Sequence, residues 1–373
     1  YSDHGAGMPG IKKQCWGPGL HVPMIIHCPE KYAGWTLRAP GTATNRLVSF
    51  IDLAPTVMSL VGLDIPEHMA GSAFLGPKAE AQRWCIHALR DRMGERYDMV
   101  RAVRTKKLQY NRNFSPWYAW SAFMSYTEDM PTMQVWRECF EQGTLNPVQA
   151  RYFTAPKPLE ELYDVENDPW QINNLIDDPR YAAELPALRA ELRRWMEQTH
   201  DLGLLNEHEM GVRSQGRTPY DLAHDPVAHP FNALWDAAEV ACAMDPKRIP
   251  ELVALLKDQD SAIRWWGAVG LQALGEAAGP ARAEIATALR DDAPMVRVAA
   301  AACMANLGDD AAALEVLIPA LSDTEFVQLS ALIVLDRMGT RARPALDAIR
   351  ACKASEYGAR MVEYIPQRNF GIG

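Results

Sequence analysis

Hydrophobic positions change their pattern several times along the chain. The short apolar run Val22-Pro23-Met24-Ile25-Ile26-His27, bounded by Gly19 and Pro29, predicts a strand buried inside a sheet. After a polar loop, Ile51, Leu53, Val57, Leu60 and Val61 recur at a roughly helical spacing, with Pro55 near the start of the segment. A buried strand followed by an amphipathic helix reads as the end of an α/β domain. From about Arg83 the pattern breaks into short strand-like pieces at 84–88, 99–104 and 107–110, separated by polar turns, with 161–164 as a further piece. They predict a small antiparallel sheet. A helix starting near Pro179 then places Leu185, Leu188, Leu192, Trp195 and Met196 on one stripe, and a helix against such a sheet makes an α+β subdomain.

Residues 203–231 are rich in Gly, Pro, His and Asp and lack a sustained period, which predicts a surface linker. Beyond them the chain repeats itself. Arg264, Arg297 and Gln328 recur at a near-constant step, and so do Gly275, Gly308 and Gly339, with Ala-rich helical stretches between. That period is the mark of stacked helix pairs, an all-α array that resembles short HEAT-like repeats. The organisation expected is therefore an α/β end at 1–78, an α+β subdomain at 79–205, a linker at 206–231 and helical repeats at 232–373.

A chain of 373 residues is long enough for two or three domains. The net charge of -9, with both signs interspersed, offers no basic field for a nucleic-acid backbone. No apolar run reaches membrane-spanning length, and the first residues show no leader pattern. The start at Tyr1 without an initiator Met suggests a native N-terminus farther upstream. Seven cysteines without a CxxC pair argue against a zinc site or a dense disulfide framework.

The candidate chemistry lies at the beginning. Asp3 and His4 precede Gly5, Gly7 and Gly10, which let the backbone turn sharply and approach a ligand. An Asp there suits a hard divalent cation, although calcium wants six to eight ligands and two side chains are too few. A capped loop would explain the same three residues. The longer pattern is more specific: Ser2-Asp3-His4-Gly5, Lys12, Gly19-Leu20-His21-Val22-Pro23-Met24-Ile25-Ile26, then Val48-Ser49-Phe50-Ile51-Asp52-Leu53-Ala54-Pro55-Thr56 and Gly62-Leu63. In order and spacing these pieces resemble the closing third of the sulfatase catalytic domain. The resemblance implies that Asp3 and His4 are ligands of an active-site calcium ion and that Lys12, rather than Lys13, contacts the sulfate. A lysine ammonium, a compact cation, suits an anionic oxygen. His21 stands where the family commonly has Arg and is assigned no role.

A second block extends the likeness to about residue 205. His87 through Arg104, Tyr110-Asn111-Arg112-Asn113-Phe114, Glu160-Glu161-Leu162-Tyr163-Asp164, Asp168-Pro169 and Asn173-Asn174-Leu175 resemble the C-terminal subdomain of bacterial sulfatases related to heparan N-sulfatase. In that resemblance a charged loop from Arg90 to Glu95 faces substrate, and Arg90 and Arg92 would bind an acidic sugar. Solvated ion pairs are an equal reading of the same residues. The 160–175 stretch and the histidines His200, His208, His224 and His229 are expected to be structural or solvent-facing. No cysteine stands in the Cys/Ser-x-Pro/Ala-Ser-x-Arg context that the family converts to formylglycine, and the upstream Asp pair of the calcium site is absent. The resemblance thus implies the C-terminal part of a sulfatase acting on sulfate esters or sulfamates of a sulfated glycan. It also implies that this part is inactive alone and that the whole protein is exported to the periplasm or beyond the cell. A phosphodiesterase or phosphonate hydrolase of the same superfold is the alternative enzyme. A repeat scaffold with a degenerate enzyme head is the alternative of another class, and the repeats would then serve oligomerisation or protein contacts.

Overall fold

The computed structural model describes residues 1–36 and 38–372. They form two compact units: one of Tyr1–Arg90, Val100–Asn113 and Glu160–Arg194, the other of Asp91–Met99, Phe114–Leu159 and Trp195–Gly373.

The expected sheet is present. Strands β1 (Cys85–Met93), β2 (Arg96–Thr105), β3 (Leu108–Asn113) and β4 (Glu160–Asp164) lie in the order β1-β2-β3-β4. β2 and β3 pair antiparallel with Val103 opposite Tyr110, and β3 and β4 pair antiparallel with Gln109 opposite Tyr163 and Asn111 opposite Glu161. Because side chains alternate across a strand, Gln109, Asn111 and Asn113 share one face of β3, while Leu108 and Tyr110 share the other. Both faces are buried, since every residue of β3 is. The helix expected after Pro179 runs from Leu185 to Gln198 and buries Leu185, Leu188, Leu192 and Met196.

The run at 22–27 is not a strand. It joins no ladder, and Ile25 is 91 % exposed and Ile26 47 %. An apolar run reports a preference for burial and cannot supply the neighbouring strands that would cover it, and none is present among the described residues. The helix Leu53–Val61 forms as expected. Ser49 and Asp52 make a capping box one turn before it, and Gly62 closes it at φ +78°. Its buried positions are Pro55, Thr56 and Ser59, whereas Val57 and Val61 are exposed.

In the second unit, residues 203–231 are ordered rather than a bare linker. Asn206 and Thr218 cap the helices Glu207–Ser214 and Pro219–Ala223 by accepting hydrogen bonds from Glu209 N at 3.0 Å and Asp221 N at 3.1 Å. Leu204, Leu205, Leu222 and His229 are buried, the last against the expectation of solvent-facing histidines. The rings of His200 and His224 lie 4.1 Å apart.

The repeat period has a concrete cause. The long helices Ser261–Ala273, Pro294–Asn306 and Glu325–Met338 are followed by Gly275, Gly308 and Gly339 at φ +56°, +81° and +59°, a conformation that favours glycine. At the matching position near each helix start, Arg264 donates to the carbonyls of Asp258 and Gln259, Arg297 to those of Asp291 and Asp292, and Gln328 to that of Leu321. Each closes the carbonyl end of the turn before it. Small residues such as Ala301, Ala302 and Ala305 pack the interior with Leu317, Leu332 and Leu335. No helix among the described residues is long and apolar enough to cross a membrane.

Candidate functional site

The first nineteen residues form a loop closed by backbone contact. Gly5 N donates to Gly19 O at 3.2 Å, and turns follow at Met8–Ile11 and Ile11–Gln14. A Cβ on Gly5 would sit 2.0 Å from the Pro18 carbonyl oxygen, and one on Gly19 would sit 2.3 Å from that of Ile11. Both positions therefore need glycine for the two ends of the loop to cross. Asp3 projects outward, its side chain 84 % exposed. His4 Nδ1 lies 2.5 Å from the Gly5 carbonyl, which only accepts, so that nitrogen carries the proton. Nε2 lies 3.6 Å from an Asp3 carboxylate oxygen. Adjacent ligands on one calcium ion, at bonds of about 2.4 Å, stand about 3.4 Å apart, so these two donors fit part of a single coordination sphere and leave most of it to other groups. Lys12 is half-buried in the same loop, and Lys13 beside it takes a left-handed backbone at φ +71°.

The segment that follows Lys12 is fastened to the sheet. Gln14 Oε1 accepts from Arg90 Nη1 at 2.7 Å. The Cys15 carbonyl accepts from both Gln109 and Asn111, on the polar face of β3. Trp16 Nε1 donates to Glu161 Oε2 at 3.0 Å, and Gly17 N donates to the Gln171 side chain. Glu161 also accepts from Asn113 and Tyr163, each at 2.6 Å. Residues 14–17 are all buried. A buried, mutually bonded polar face of this kind specifies one position for the chain lying on it. The signal was present in the sequence as the alternation Gln109, Asn111, Asn113 along one face of the strand, but the partner segment lies nearly a hundred residues away.

Arg90 and Arg92 are not in a loop. β1 continues to Met93, and the chain turns at Gly94, φ +79°, before β2 begins at Arg96. Arg90 is 2 % exposed and reaches Gln14, a place from which it orients the Lys12 loop. Arg92 donates from Nε to both carboxylate oxygens of Glu207, at 2.7 and 2.9 Å, and lies over the Tyr97 and Phe326 rings. Arg92 is thus held in an ion pair with Glu207 that is largely sheltered from solvent.

One grouping had no counterpart in the sequence reading. Cys85, His87 and Glu191 bring one donor atom each within 4.8 Å of one another. Cys85 and His87 sit two apart on β1, hence on one face, which is the only local signal for it. His87 Nε2 is 3.0 Å from Glu191 Oε1, and Arg194 pairs with the same carboxylate. Burial, reinforced by Glu191, pushes the Cys85 thiol up to about 12, so it stays protonated. Burial lowers the His87 pKa, with Glu191 opposing.

Residues 1–63 match the sulfatase family model, and residues 249–336 match that of HEAT repeats. An ulvan-active sulfatase of Formosa agariphila is 40 % identical over 210 residues, 56 % of this chain and 34 % of the relative. The human N-sulphoglucosamine sulphohydrolase is 26 % identical over 225 residues, 54 % of this chain and 41 % of the relative. The chain thus spans between a third and about two-fifths of the length of these relatives. A solved structure in complex with its substrate D-glucosamine-2-N,6-O-disulfate aligns with 39 % of this chain and 23 % of its own, at 15 % identity and a TM-score of 0.25, too low to speak for a shared fold. The N-terminal segment of this chain, with Asp3, His4 and Lys12, is thus similar to the sulfatase family, and a match to HEAT repeats follows it.

Proposed function

We propose that the whole protein hydrolyses sulfate esters or sulfamates on a sulfated glycan, and that Asp3, His4 and Lys12 form one side of its active site. The observation that carries this reading is that the segment matching the sulfatase family holds all three residues in one loop, fastened to the sheet through Gln14, Cys15 and Trp16. Asp3 and His4 Nε2 would supply part of the coordination sphere of a calcium ion, which when bound would polarise the sulfate oxygens. Lys12 would bind the sulfate as a point charge and balance the charge that develops on the oxygens as the bond to the sugar breaks. The sheet's part is positioning: a bolted loop keeps the ammonium in place without reorganising during reaction. The nucleophile, a formylglycine in the family, would come from outside residues 1–373, and the chain by itself is expected to be inactive. Arg92 would contact an acidic sugar only by exchanging Glu207 for a carboxylate of the sugar, and Arg90 would act through Gln14.

Related enzymes fit this substrate class, one named as ulvan-active and one as acting on N-sulphoglucosamine. The test is turnover of aryl sulfate and aryl phosphate esters by the full-length protein in the presence of calcium. Preference for the sulfate ester, abolished by chelation, supports the proposal. Preference for the phosphate ester would assign the site to a phosphoesterase instead, since metal and lysine suit either anion.

A further inference from the structure

The second unit contains a groove of about 860 Å3 whose lining comes from the repeat helices and the segment after β3. Three arginines, Arg282, Arg337 and Arg341, line it against one acid, Glu276. Two of them are committed: Arg341 Nη1 is 2.7 Å from Asp310, and Arg282 reaches the Leu307 carbonyl at 2.7 Å with Asp309 at 3.6 Å. Arg337 differs. Its guanidinium carbon lies over the Tyr118 ring, 3.4 Å from the centroid, and no carboxylate pairs with it among the described residues. It is exposed to solvent. A guanidinium seated over an aromatic ring and bonded to one hydroxyl still has N–H groups left for a planar or tetrahedral oxyanion.

The rest of the lining suits a sugar. Trp117 stands edge to face with Tyr118, ring centroids 5.7 Å apart. Gln272 donates from its side-chain amide to the Tyr118 hydroxyl at 3.1 Å, and Asn306 donates to the Gln272 backbone carbonyl at 3.1 Å. Each amide thereby presents its own carbonyl oxygen as an acceptor for hydroxyl groups. A cation on an aromatic face, a second aromatic ring and two oriented amides match a hydroxylated ring that carries an anionic group.

We propose that this groove binds a sulfated saccharide segment, with the sulfate on Arg337 and the sugar against Trp117 and Tyr118. It would be a second, non-catalytic site that holds a polymeric substrate; the choice of sulfate among oxyanions rests on the sulfatase reading above. The test is calorimetric titration of the 373-residue chain with a sulfated ulvan oligosaccharide and a heparin-derived hexasaccharide, each beside its desulfated counterpart, and with inorganic sulfate. At least one sulfated saccharide is expected to bind, with affinity lowered about tenfold to a hundredfold by desulfation and by Arg337→Gln. Gln272→Glu, which keeps a partner for the Tyr118 hydroxyl while adding a negative charge, is expected to weaken binding similarly and guards against misfolding of the first variant. No binding by either saccharide, unchanged affinity in both variants, equal affinity after desulfation, or inorganic sulfate binding as tightly as the saccharide would each overturn the proposal. None of these results bears on the sulfatase reading, which stands or falls on aryl sulfate turnover by the full-length protein.

Discussion

Glu161 is the residue on which the fastening of the Lys12 loop depends most. It is 1 % exposed, and its carboxylate accepts from Trp16 Nε1 at 3.0 Å, Asn113 Nδ2 at 2.6 Å and Tyr163 OH at 2.6 Å. Hydrogen bonds to a charged group contribute about 1.5–3 kcal/mol each, and a donor that loses a buried acceptor keeps its desolvation cost. Since the three share one acceptor their effects do not add in full, so Glu161→Ala should cost about 3–6 kcal/mol. Glu161→Gln keeps the shape and one acceptor oxygen but turns an N–H toward a donor, and should cost about 1–3 kcal/mol. Urea unfolding measures the stability, and amide hydrogen exchange read by mass spectrometry over residues 14–17 shows whether the loss is local. Exchange in that segment should rise in both variants, more in the alanine one. If Glu161→Ala shifted stability by less than about 0.5 kcal/mol and left exchange at 14–17 unchanged, the polar face of the sheet would not be what holds the loop.

Three further outcomes follow from the same structure. Gly19→Ala places a methyl group 2.3 Å from one backbone carbonyl oxygen and 2.7 Å from another. It should cost about 1–3 kcal/mol and speed exchange across residues 5–19, and wild-type exchange there would refute the tight crossing. Arg96 pairs with Asp336, both nearly fully buried, and bonds the Tyr364 hydroxyl at 2.9 Å, while Arg368 also reaches Asp336 at 2.8 Å. Because Arg368 remains, Arg96→Met should destabilise by about 3 kcal/mol, the low end for breaking a buried pair, as a urea midpoint would show. Burial lowers the pKa of His87 and of His229 below the ordinary value of 6.5. The unfolded chain therefore binds protons first as pH falls, so the stability these residues contribute is complete above about pH 6.5 and declines below it. Thermal midpoints taken between about pH 7 and pH 5 should fall, and His87→Gln should flatten that slope; an identical slope would remove His87 from the effect.

How much of this was legible in the sequence depended on whether a pattern names its own partner. The period that places glycine after each repeat helix and Arg264, Arg297 or Gln328 near each start reports contacts within one repeat, and these contacts form as the spacing suggests. Short alternating pieces likewise marked all four strands. The run at 22–27 failed for the converse reason, because its burial depends on strands that the pattern cannot supply. The caps Asn206 and Thr218 were visible residue types inside a composition that reads as linker, and composition hid them. At the candidate site, Asp3, His4 and Lys12 were found by resemblance, whereas the roles of Gln14, Trp16, Arg90 and Glu161 arise from contacts across long sequence separations. The same holds for Glu191 beside Cys85 and His87.

The central claim is that Lys12, held in place by the sheet, binds the sulfate. Its most direct test is kcat/KM for a sulfate ester in the full-length protein, compared among wild type, Lys12→Ala and Lys13→Ala. Losing a preorganised positive group at a developing anion costs about a hundredfold or more, so Lys12→Ala should fall by that factor while Lys13→Ala stays close to wild type. Turnover undiminished in Lys12→Ala, or the large loss appearing in Lys13→Ala instead, would contradict it.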